Sequence, residues 1–169
     1  MLRTVTIHDA AAICEIYNYY VTHSVATFEE KPISVPEGEN RIREIISTYP
    51  WFVWEEEGIV RGFSYLHQFH TRCAYRFTVE DTVYVYPGFE GKAIGTALLG
   101  AVLETIEELE KREKRTVHAV IAAITLPNER SKKLHEHFSF KHVGHFKEVG
   151  YKMGQWLDVG YWELIRDRI

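Results

Sequence analysis

Long apolar runs, cysteine clusters and a basic excess are all missing from this 169-residue sequence, and each absence removes a class of protein. No stretch of about 18 apolar residues occurs, so no membrane-spanning helix is predicted. The formal net charge of -4 argues against a nucleic-acid partner, because phosphate backbones select basic surfaces. The N-terminal residues lack the apolar core of a signal peptide. We therefore expect a cytoplasmic protein without membrane or nucleic-acid partners.

Cysteine is scarce, and histidine is not. The two cysteines, Cys14 and Cys73, form no recognisable pattern, so we expect free thiols in a reducing compartment. Three of the close histidine pairs are His67 with His70, His135 with His137, and His142 with His145. Regular strand or helix geometry brings none of them to a third carboxylate or cysteine, and no metal site is predicted.

The length suits one domain spanning residues 1–169, and hydrophobic periodicity orders its elements. Strands are predicted at 2–7, 51–69 (a hairpin turning at Glu57-Gly58), 76–86, 116–126 and 140–165 (two strands). Helices are predicted from Asp9 to about Tyr20, at 40–48, at 94–113 with an apolar stripe ending at Leu109, and at 128–138. Residues 21–39 are predicted to be a long loop. This order indicates a mixed α/β domain.

The segment "EGKAIG" (90–95) lies between a predicted strand and a predicted helix. A helix N-terminus offers unpaired N–H groups and the positive end of its dipole, which suits an anionic ligand. A Walker loop is excluded because Ala93 follows Lys92 where Ser or Thr is needed, and a dinucleotide fingerprint is excluded by its spacing. The pyrophosphate loop of acetyl-CoA-dependent N-acetyltransferases, Gln/Arg-x-x-Gly-x-Gly/Ala, fits with two departures. An ordinary strand-to-helix turn is the open alternative.

Longer shared stretches decide between these alternatives. They include "TVEDTVYV" (78–85), "LPNERSKKLHE" (126–136) and "GYKMGQWLDVGYW" (150–162), in that order. On them the sequence resembles the GNAT superfamily of N-acetyltransferases. Within it, the chain is similar to the phosphinothricin, methionine sulfoximine and methionine sulfone N-acetyltransferase group. The resemblance runs over most of the chain.

This resemblance implies a fold and an activity. The fold would be a mixed sheet of about seven strands flanked by about four helices, and relatives are commonly homodimers. The activity would be acetyl transfer from acetyl-CoA, without a metal, to the α-amine of a small amino-acid-like substrate, by direct attack in a ternary complex. Two alternatives stay open: another amine acceptor, such as a peptide N-terminus or a polyamine, and a degenerate module that only binds acetyl-CoA.

The resemblance also implies where the cofactor binds. The backbone of Val83 to Val85 would face the acetyl group and the pantetheine arm. The full set of cofactor residues would be Val83, Tyr84, Val85, Glu90, Gly91, Lys92, Ala93, Ile94, Gly95, Thr96, Asn128 and Ser131. Three positions depart from the family pattern: Glu90 replaces Gln or Arg, while Ala93 and Ser139 replace glycine. The Ala93 amide would still serve if its φ stayed negative, and Asn128 is equally a plain helix N-cap.

Two residues are predicted to carry the chemistry. Glu80 lies among apolar and β-branched residues, and burial there would raise its pKa towards the range of a general base. Its alternative is a solvent-facing strand glutamate. Its neighbour Asp81 would point to the opposite face and be the solvated one. His135 stands where related enzymes often place a tyrosine as acid for the departing thiolate, and its alternative is a surface histidine.

The acceptor is assigned to four residues. Arg72, Tyr75 and Arg76 precede the Glu80 strand, and an arginine there could hold an amino-acid carboxylate with two hydrogen bonds. Phe28, in the predicted long loop, resembles the family's substrate-pocket aromatic. The alternative for the arginines is an ordinary solvated loop.

Overall fold

The computed structural model describes residues 1–113 and 116–166, without the side chains of residues 109, 112 and 113, so the predicted Leu109 contact lies outside the described residues. In chain order the elements are β1 (Leu2–Thr4), α1 (Ala10–His23), α2 (Val35–Ile46), β2 (Trp51–Glu56), β3 (Ile59–Gln68), β4 (Thr78–Val85), α3 (Ile94–Glu113), β5 (Ala119–Leu126), α4 (Glu129–His137), β6 (Lys141–Lys152) and β7 (Gln155–Ile165). Short 3-10 turns occupy Ile7–Asp9 and Cys73–Tyr75.

Seven strands form one mixed sheet in the order β1-β2-β3-β4-β5-β7-β6. Every neighbouring pair is antiparallel except β4 and β5, which are parallel. The predicted fold class is therefore confirmed. The parallel pair is the short one: its register covers only Thr78↔Ala119, Val79↔Val120 and Glu80↔Ile121. Beyond Glu80 the pairing stops although both strands continue, so the two strands diverge from this point.

Helices cover both faces of the sheet. On one face, the α1 and α2 residues Ile13, Ile16 and Ile42 pack against Val53 and Phe63 of β2 and β3. On the other face, α3 packs its apolar stripe against alternate residues of β3, β4 and β5, namely Leu99, Val102 and Ile106 against Leu66, Val79, Val120 and Ala122. Because successive side chains of a strand point to opposite faces, Glu80 projects to the α1/α2 side and Asp81 to the α3/α4 side.

The segment 21–39 was predicted to be a long loop, and that prediction is wrong at both ends. Helix α1 continues to His23, and α2 already begins at Val35, five residues before the predicted start. Ser34 caps α2 by accepting a hydrogen bond from the Glu37 amide (3.3 Å). Pro36 lies in the first turn, where its missing N–H costs nothing. The connection is therefore residues 24–34.

Hairpin turns follow their residue types. Glu57 and Gly58 have φ of 51° and 76°, and Met153 and Gly154 have φ of 52° and 77°. Positive φ at both central residues is the two-residue turn whose twist matches that of the flanking strands. The predicted hairpin at Glu57-Gly58 is confirmed, and the second one links β6 to β7.

Candidate active site

An open cleft lies beside the divergence of β4 and β5. Ala123, in the middle of the central strand β5, is exposed, although Ala122 and Ile124 on either side are buried. A central strand normally has both faces covered, so an exposed alanine there marks the floor of a cavity open to solvent. The register places Tyr161 of β7 opposite Ala123 and Glu80 opposite Ile121, on the same face.

Glu80 lies at the edge of this floor, and its environment is that of a carboxyl group ready to exchange a proton. Burial, with a smaller contribution from the charge of Asp81, raises the pKa of Glu80 to about 7. Within the described residues its carboxylate makes no hydrogen bond and no ion pair. Glu80 is half-buried, which is less exposed than the solvent-facing alternative expects. The pKa is raised because burial removes water from the carboxylate and no hydrogen-bond donor of the protein takes the place of that water.

Aromatic side chains and one histidine surround the Glu80 carboxylate. In the β3–β4 register His67 is its direct cross-strand partner, and Tyr65 is the partner of Thr82. Burial lowers the pKa of His67, and the ring is therefore neutral at pH 7. Burial first, and the charge of Glu80 second, raise the pKa of Tyr161. No cation lies close enough to pair with Glu80 among the residues described.

Asp81 is not solvated, which corrects the expectation for this residue. It is 7% exposed, and its Oδ2 lies 3.0 Å from Nε2 of His135, which is itself 4% exposed. The Nδ1 atom of His135 lies 2.7 Å from the carbonyl oxygen of Ser131. Sequence reasoning missed Asp81 because its burial depends on α4, which packs over β4 from 50 residues further along the chain.

The contacts of His135 decide between its two predicted environments and bear on its predicted role as an acid. The surface-histidine alternative is wrong, because the ring is buried and its edge meets Phe140 at 5.2 Å between centroids. Both ring nitrogens are occupied by acceptors within the protein, so neither N–H is left for a departing thiolate. The geometry is therefore against the predicted acid role, and places His135 in a buried contact with Asp81.

The loop before α3 has the backbone of an anion site. Gly88 and Gly91 have φ of 86° and 82°, and a Cβ at either would meet nothing within 4 Å. The first helical hydrogen bond runs from the Ala97 amide to the Ala93 carbonyl (3.0 Å). The amides that precede it have no helical partner, and they belong to Ile94, Gly95 and Thr96. They lie at the open end of the β4–β5 divergence.

Glu90 folds back onto its own loop. Its Oε2 accepts a hydrogen bond from the Gly88 amide (2.8 Å), and its Oε1 lies 3.7 Å from Nη1 of Arg130. The carboxylate therefore takes one amide at the start of the loop and leaves those at the start of α3 untouched. Lys92 stacks over the Phe89 ring at 4.1 Å, with Arg61 at 4.3 Å from the same ring centroid.

Two of the departures from the family pattern fall on backbone that favours glycine. Ala93 has φ of 61° and Ser139 has φ of 68°. The condition that φ at Ala93 stays negative is therefore not met. An alanine in the left-handed region costs about 1–2 kcal/mol. The loop keeps its shape at that cost, because the shape is set by α3 and the flanking glycines.

At the N-terminus of α4, Asn128 accepts a hydrogen bond from the Ser131 amide (3.1 Å) through its side chain. The helix-cap interpretation is thus confirmed, and the side-chain amide N–H groups remain for a ligand. Arg130 and Lys133 add positive charge near this end. The start of α3 lies against α4, since a Cβ added at Gly95 would be 3.4 Å from Leu134, and Arg130 in the first turn of α4 reaches Glu90 of the loop before α3.

The predicted acceptor residues fall in two places. Arg72, Tyr75 and Arg76 are exposed in the turn before β4, where Arg76 stacks on Phe77 (4.3 Å) and donates to the Cys73 carbonyl (3.0 Å). Phe28 lies on the 24–34 connection, and its ring fills the space above Gly150 of β6, where a Cβ would collide with it. The structure does not bring the two groups into direct contact.

Lys152 was not predicted to matter, yet it fixes the connection that carries Phe28. It is 3% exposed, and its Nζ donates to the carbonyl oxygens of Thr27 (2.7 Å) and Tyr20 (3.3 Å). Burial lowers its pKa. The Thr27 hydroxyl bonds to Tyr17 (2.9 Å) and to the Glu29 amide (3.2 Å). The one sequence signal was a lysine inside "GYKMGQW", a stretch otherwise read as aromatic strand.

Within residues 1–113 and 116–166, no three His, Cys, Asp or Glu side chains group as metal ligands would. No helix in the described part of the chain combines the length and apolar character that a bilayer crossing needs. Cys14 is buried and Cys73 is exposed, and both are free thiols.

Residues 2–160 match the acetyltransferase (GNAT) domain family, and the chain belongs to that family. It is an acetyl-CoA-dependent N-acetyltransferase. A phosphinothricin N-acetyltransferase of Streptomyces viridochromogenes is 35% identical over 96% of this chain and 85% of its own length. An L-methionine sulfoximine/L-methionine sulfone acetyltransferase of Salmonella typhimurium is 32% identical over 94% and 90%.

Solved structures agree with this assignment. A GNAT-superfamily phosphinothricin acetyltransferase from Sinorhizobium meliloti, in complex with acetyl-CoA, superposes with a TM-score of 0.89 at 35% identity, over 98% of this chain and 87% of the other. The Salmonella typhimurium protein yncA, solved with its cofactor acetyl-CoA, gives a TM-score of 0.91 at 30% identity, over 100% and 95%. The fold and the cosubstrate class of this chain are those of its relatives.

Proposed function

We propose that the chain, acting as one domain, transfers acetyl from acetyl-CoA to the α-amine of a small amino-acid-like substrate of the phosphinothricin, methionine sulfoximine or methionine sulfone type. The observation that carries this proposal is Glu80, an unpaired carboxylate with a pKa of about 7 at the edge of an open cleft. The names of the relatives supply the acceptor class.

Glu80 is the general base of this proposal. An α-ammonium group must lose one proton before its nitrogen can attack, and a carboxylate with a pKa near 7 accepts that proton at neutral pH. The neutral nitrogen then bonds to the thioester carbon, the carbon–sulfur bond breaks, and the sulfur leaves with the electron pair. The nitrogen loses a second proton, which the thiolate takes up to become the free thiol. The proton first taken by Glu80 is the one net proton released for each acetyl group transferred, and it passes to solvent through the cleft.

Acetyl-CoA, when bound, supplies the activated acetyl group. The chain offers its diphosphate the amides of Ile94, Gly95 and Thr96, which have no helical partners, and the charge of Arg130. Glu90 and Ala93 contribute backbone, as do Gly91 and Lys92. The divergent backbone of Val83, Tyr84 and Val85 faces the pantetheine arm, together with Asn128 and Ser131 of α4.

For the acceptor, Phe28 and Tyr75 are the proposed aromatic contacts, and Arg72 or Arg76 the partner of the carboxylate. The Arg72 side chain makes no hydrogen bond and no ion pair among the residues described, so its five donors are free for a planar anion. Direct attack is favoured over an acetylated cysteine, because Cys14 is buried and burial raises the pKa of its thiol.

We also propose a homodimer in the cytoplasm. The C-terminal stretch is rich in aromatic residues, and some of them are exposed on the β6–β7 hairpin, where the rings of Tyr151 and Trp156 meet edge to face at 5.1 Å, with Phe146 and Val149 exposed nearby. Trp162 of the same stretch is 2% exposed and belongs to the core. Sedimentation of the wild type and of Trp156→Glu tests this: a wild-type monomer would remove the dimer. The two free thiols support a reducing compartment.

A panel of amines with detection of the released thiol tests the main proposal. Methionine sulfone and phosphinothricin should turn over faster than a peptide N-terminus or spermidine. Arg72→Ala should raise KM only for acceptors that carry a carboxylate, and Arg43→Ala, on the surface of α2, is the control. Turnover of the peptide alone would refute the acceptor class. No turnover, with no thermal shift at saturating acetyl-CoA, would indicate a degenerate fold.

A further inference from the structure

We propose that Asp81 and His135 are a positioning pair with two roles. Their contact holds α4 against β4 where the β4–β5 pairing ends, and their charges determine the electrostatic potential at the Glu80 carboxylate. This inference rests on the proposed function, because it assigns a role towards the same base. Neither side chain reaches the cleft face, so both would act through Glu80 and not on the substrate.

The first support is position. Backbone pairing between β4 and β5 stops at Glu80↔Ile121, and Asp81 is the next residue of β4. Its side chain bonds across to α4, the helix that follows β5. The contact therefore joins the two sides of the divergence at the point where the backbone ladder no longer does. The width of the opening, and the direction in which Glu80 points, depend on it.

The second support is hydrogen-bond stoichiometry. A neutral imidazole has one N–H, but His135 has an acceptor at each ring nitrogen, Asp81 at 3.0 Å and the Ser131 carbonyl at 2.7 Å. With Asp81 ionised, both contacts are hydrogen bonds only when the ring carries two protons. Burial alone would lower the pKa of His135, but the hydrogen bond and charge of Asp81, with the Ser131 carbonyl, outweigh it and raise the pKa.

The third support is an unsatisfied atom. The Oδ1 atom of Asp81 is buried without a hydrogen-bond partner in the described part of the chain. A pair serving stability alone would satisfy both oxygens, because a buried acceptor without a donor is costly. Its negative charge is thus only partly neutralised, and it acts on Glu80, the adjacent residue, whose pKa it raises after the larger effect of burial.

Other titratable groups face Glu80 and are kept in every variant. They lie on the strands packed beside it and on the connection across the cleft, and are Tyr65 and His67 on β3, Tyr161 and Glu163 on β7, and Glu29 with its partner Arg41. None of them bonds to Asp81 or His135, but the charge of Asp81 also raises the pKa of His67, against the larger effect of burial. A shift in the titration of Glu80 is therefore assigned to the pair by its opposite sign in the two single variants.

The test is a carbon-13 NMR titration of the Glu80 carboxyl group in the unliganded protein, with pH profiles of kcat/KM beside it. Asp81→Asn removes a negative charge and should lower the midpoint of Glu80 by about one pH unit. His135→Gln leaves the aspartate uncompensated and should raise it. The double variant Asp81→Asn/His135→Gln keeps a neutral hydrogen-bonded pair, and guards against a single variant that fails to fold. Its midpoint should return close to that of the wild type.

A purely structural pair would lower activity at every pH without moving the midpoints in opposite directions, and that result would overturn the proposal. An unmoved or higher midpoint in Asp81→Asn would overturn it as well. The carboxyl titration needs no turnover. If midpoints move as expected in a protein that transfers no acetyl group, the proposed function fails and the electrostatic role of the pair stands. If acetyl transfer occurs and the midpoints are fixed, only the pair is refuted.

Discussion

Glu80 and Asp81 are neighbouring carboxylates on one strand, and they meet opposite environments. Glu80 faces the α1/α2 side, where the sheet is open at Ala123, and has no hydrogen-bond donor among the described residues. Asp81 faces the α3/α4 side and pairs with His135 at 3.0 Å. The strand gives the two residues the same backbone, so the difference comes from what packs on each face. Glu80, which has no partner, can act as a proton acceptor, whereas Asp81, which has one, forms a buried ion pair.

The largest expected effect is on the open side. Glu80→Gln should reduce kcat/KM by about 100-fold or more near pH 7, because general bases contribute rate factors of this size. The measurement is steady-state thiol release, with Glu108→Gln on the surface of α3 as the control. If Glu80→Gln kept wild-type activity across the pH range, Glu80 would not be the general base, and the difference between the two carboxylates would not matter for catalysis.

The pH dependence follows from the same residue. The folded-state pKa of about 7 is above the ordinary value of 4.5, so the folded protein binds the proton more tightly than the unfolded chain. Glu80 therefore makes the free energy of unfolding fall as pH rises between these two values, with no further change above about 7. Over the same range kcat/KM should rise with pH. Denaturation of wild type and Glu80→Gln at several pH values should show their stability difference widening up to pH 7; a constant difference would contradict the raised pKa.

Substitution of Asp81, on the α3/α4 side, should change the stability of the protein. Asp81→Ala leaves the His135 charge buried without its partner, and breaking a buried pair in this way costs about 3 kcal/mol or more. We expect the free energy of unfolding to fall by that amount in urea denaturation at pH 7, whereas Glu80→Gln should leave it unchanged or raise it. Equal losses for both variants would erase the distinction between the two faces.

A smaller effect is expected where the acceptor connection rests on β6. Gly150→Ala places a Cβ into the Phe28 ring, whereas at Gly144, on the same strand, the nearest atom to an added Cβ is 3.9 Å away. Displacing Phe28 should raise the acceptor KM about tenfold, or ~1.4 kcal/mol, with the acetyl-CoA affinity unchanged. Gly144→Ala is the matched control. A similar acceptor KM for both variants would mean that Phe28 does not take part in acceptor binding.

The smallest effect lies at the cofactor loop. Ala93→Gly removes a side chain from left-handed backbone and should raise the free energy of unfolding by about 1 kcal/mol. The matched control is Ala97→Gly inside α3, which should lower it by about the same amount. Thermal or urea denaturation measures both. A destabilised Ala93→Gly would mean that the left-handed conformation at this position carries no strain.

The sequence predicted some of the site and missed the rest for physical reasons. Glu80 was found because an acid inside a β-branched run is a local signal. The environment of Asp81 and the anchoring role of Lys152 depend on contacts 54 and 125 residues away along the chain, and no local pattern encodes such contacts. The start of α2 was misplaced because the residues before Asn40 show little hydrophobic periodicity, although Pro36 is compatible with the first turn of a helix.

By itself, the sequence determined the order of strands and helices, the family, the turn types and the face on which each strand residue lies, because periodicity and turn chemistry are local. Only the tertiary structure decided which of two adjacent acids would be paired and which left open. That outcome depends on α4 covering one face of β4 while the other face lies open at Ala123 beside the diverging strands. It also depends on the burial of Glu80 in the folded protein, because the removal of water raises a carboxyl pKa and no local sequence pattern shows how much water is removed.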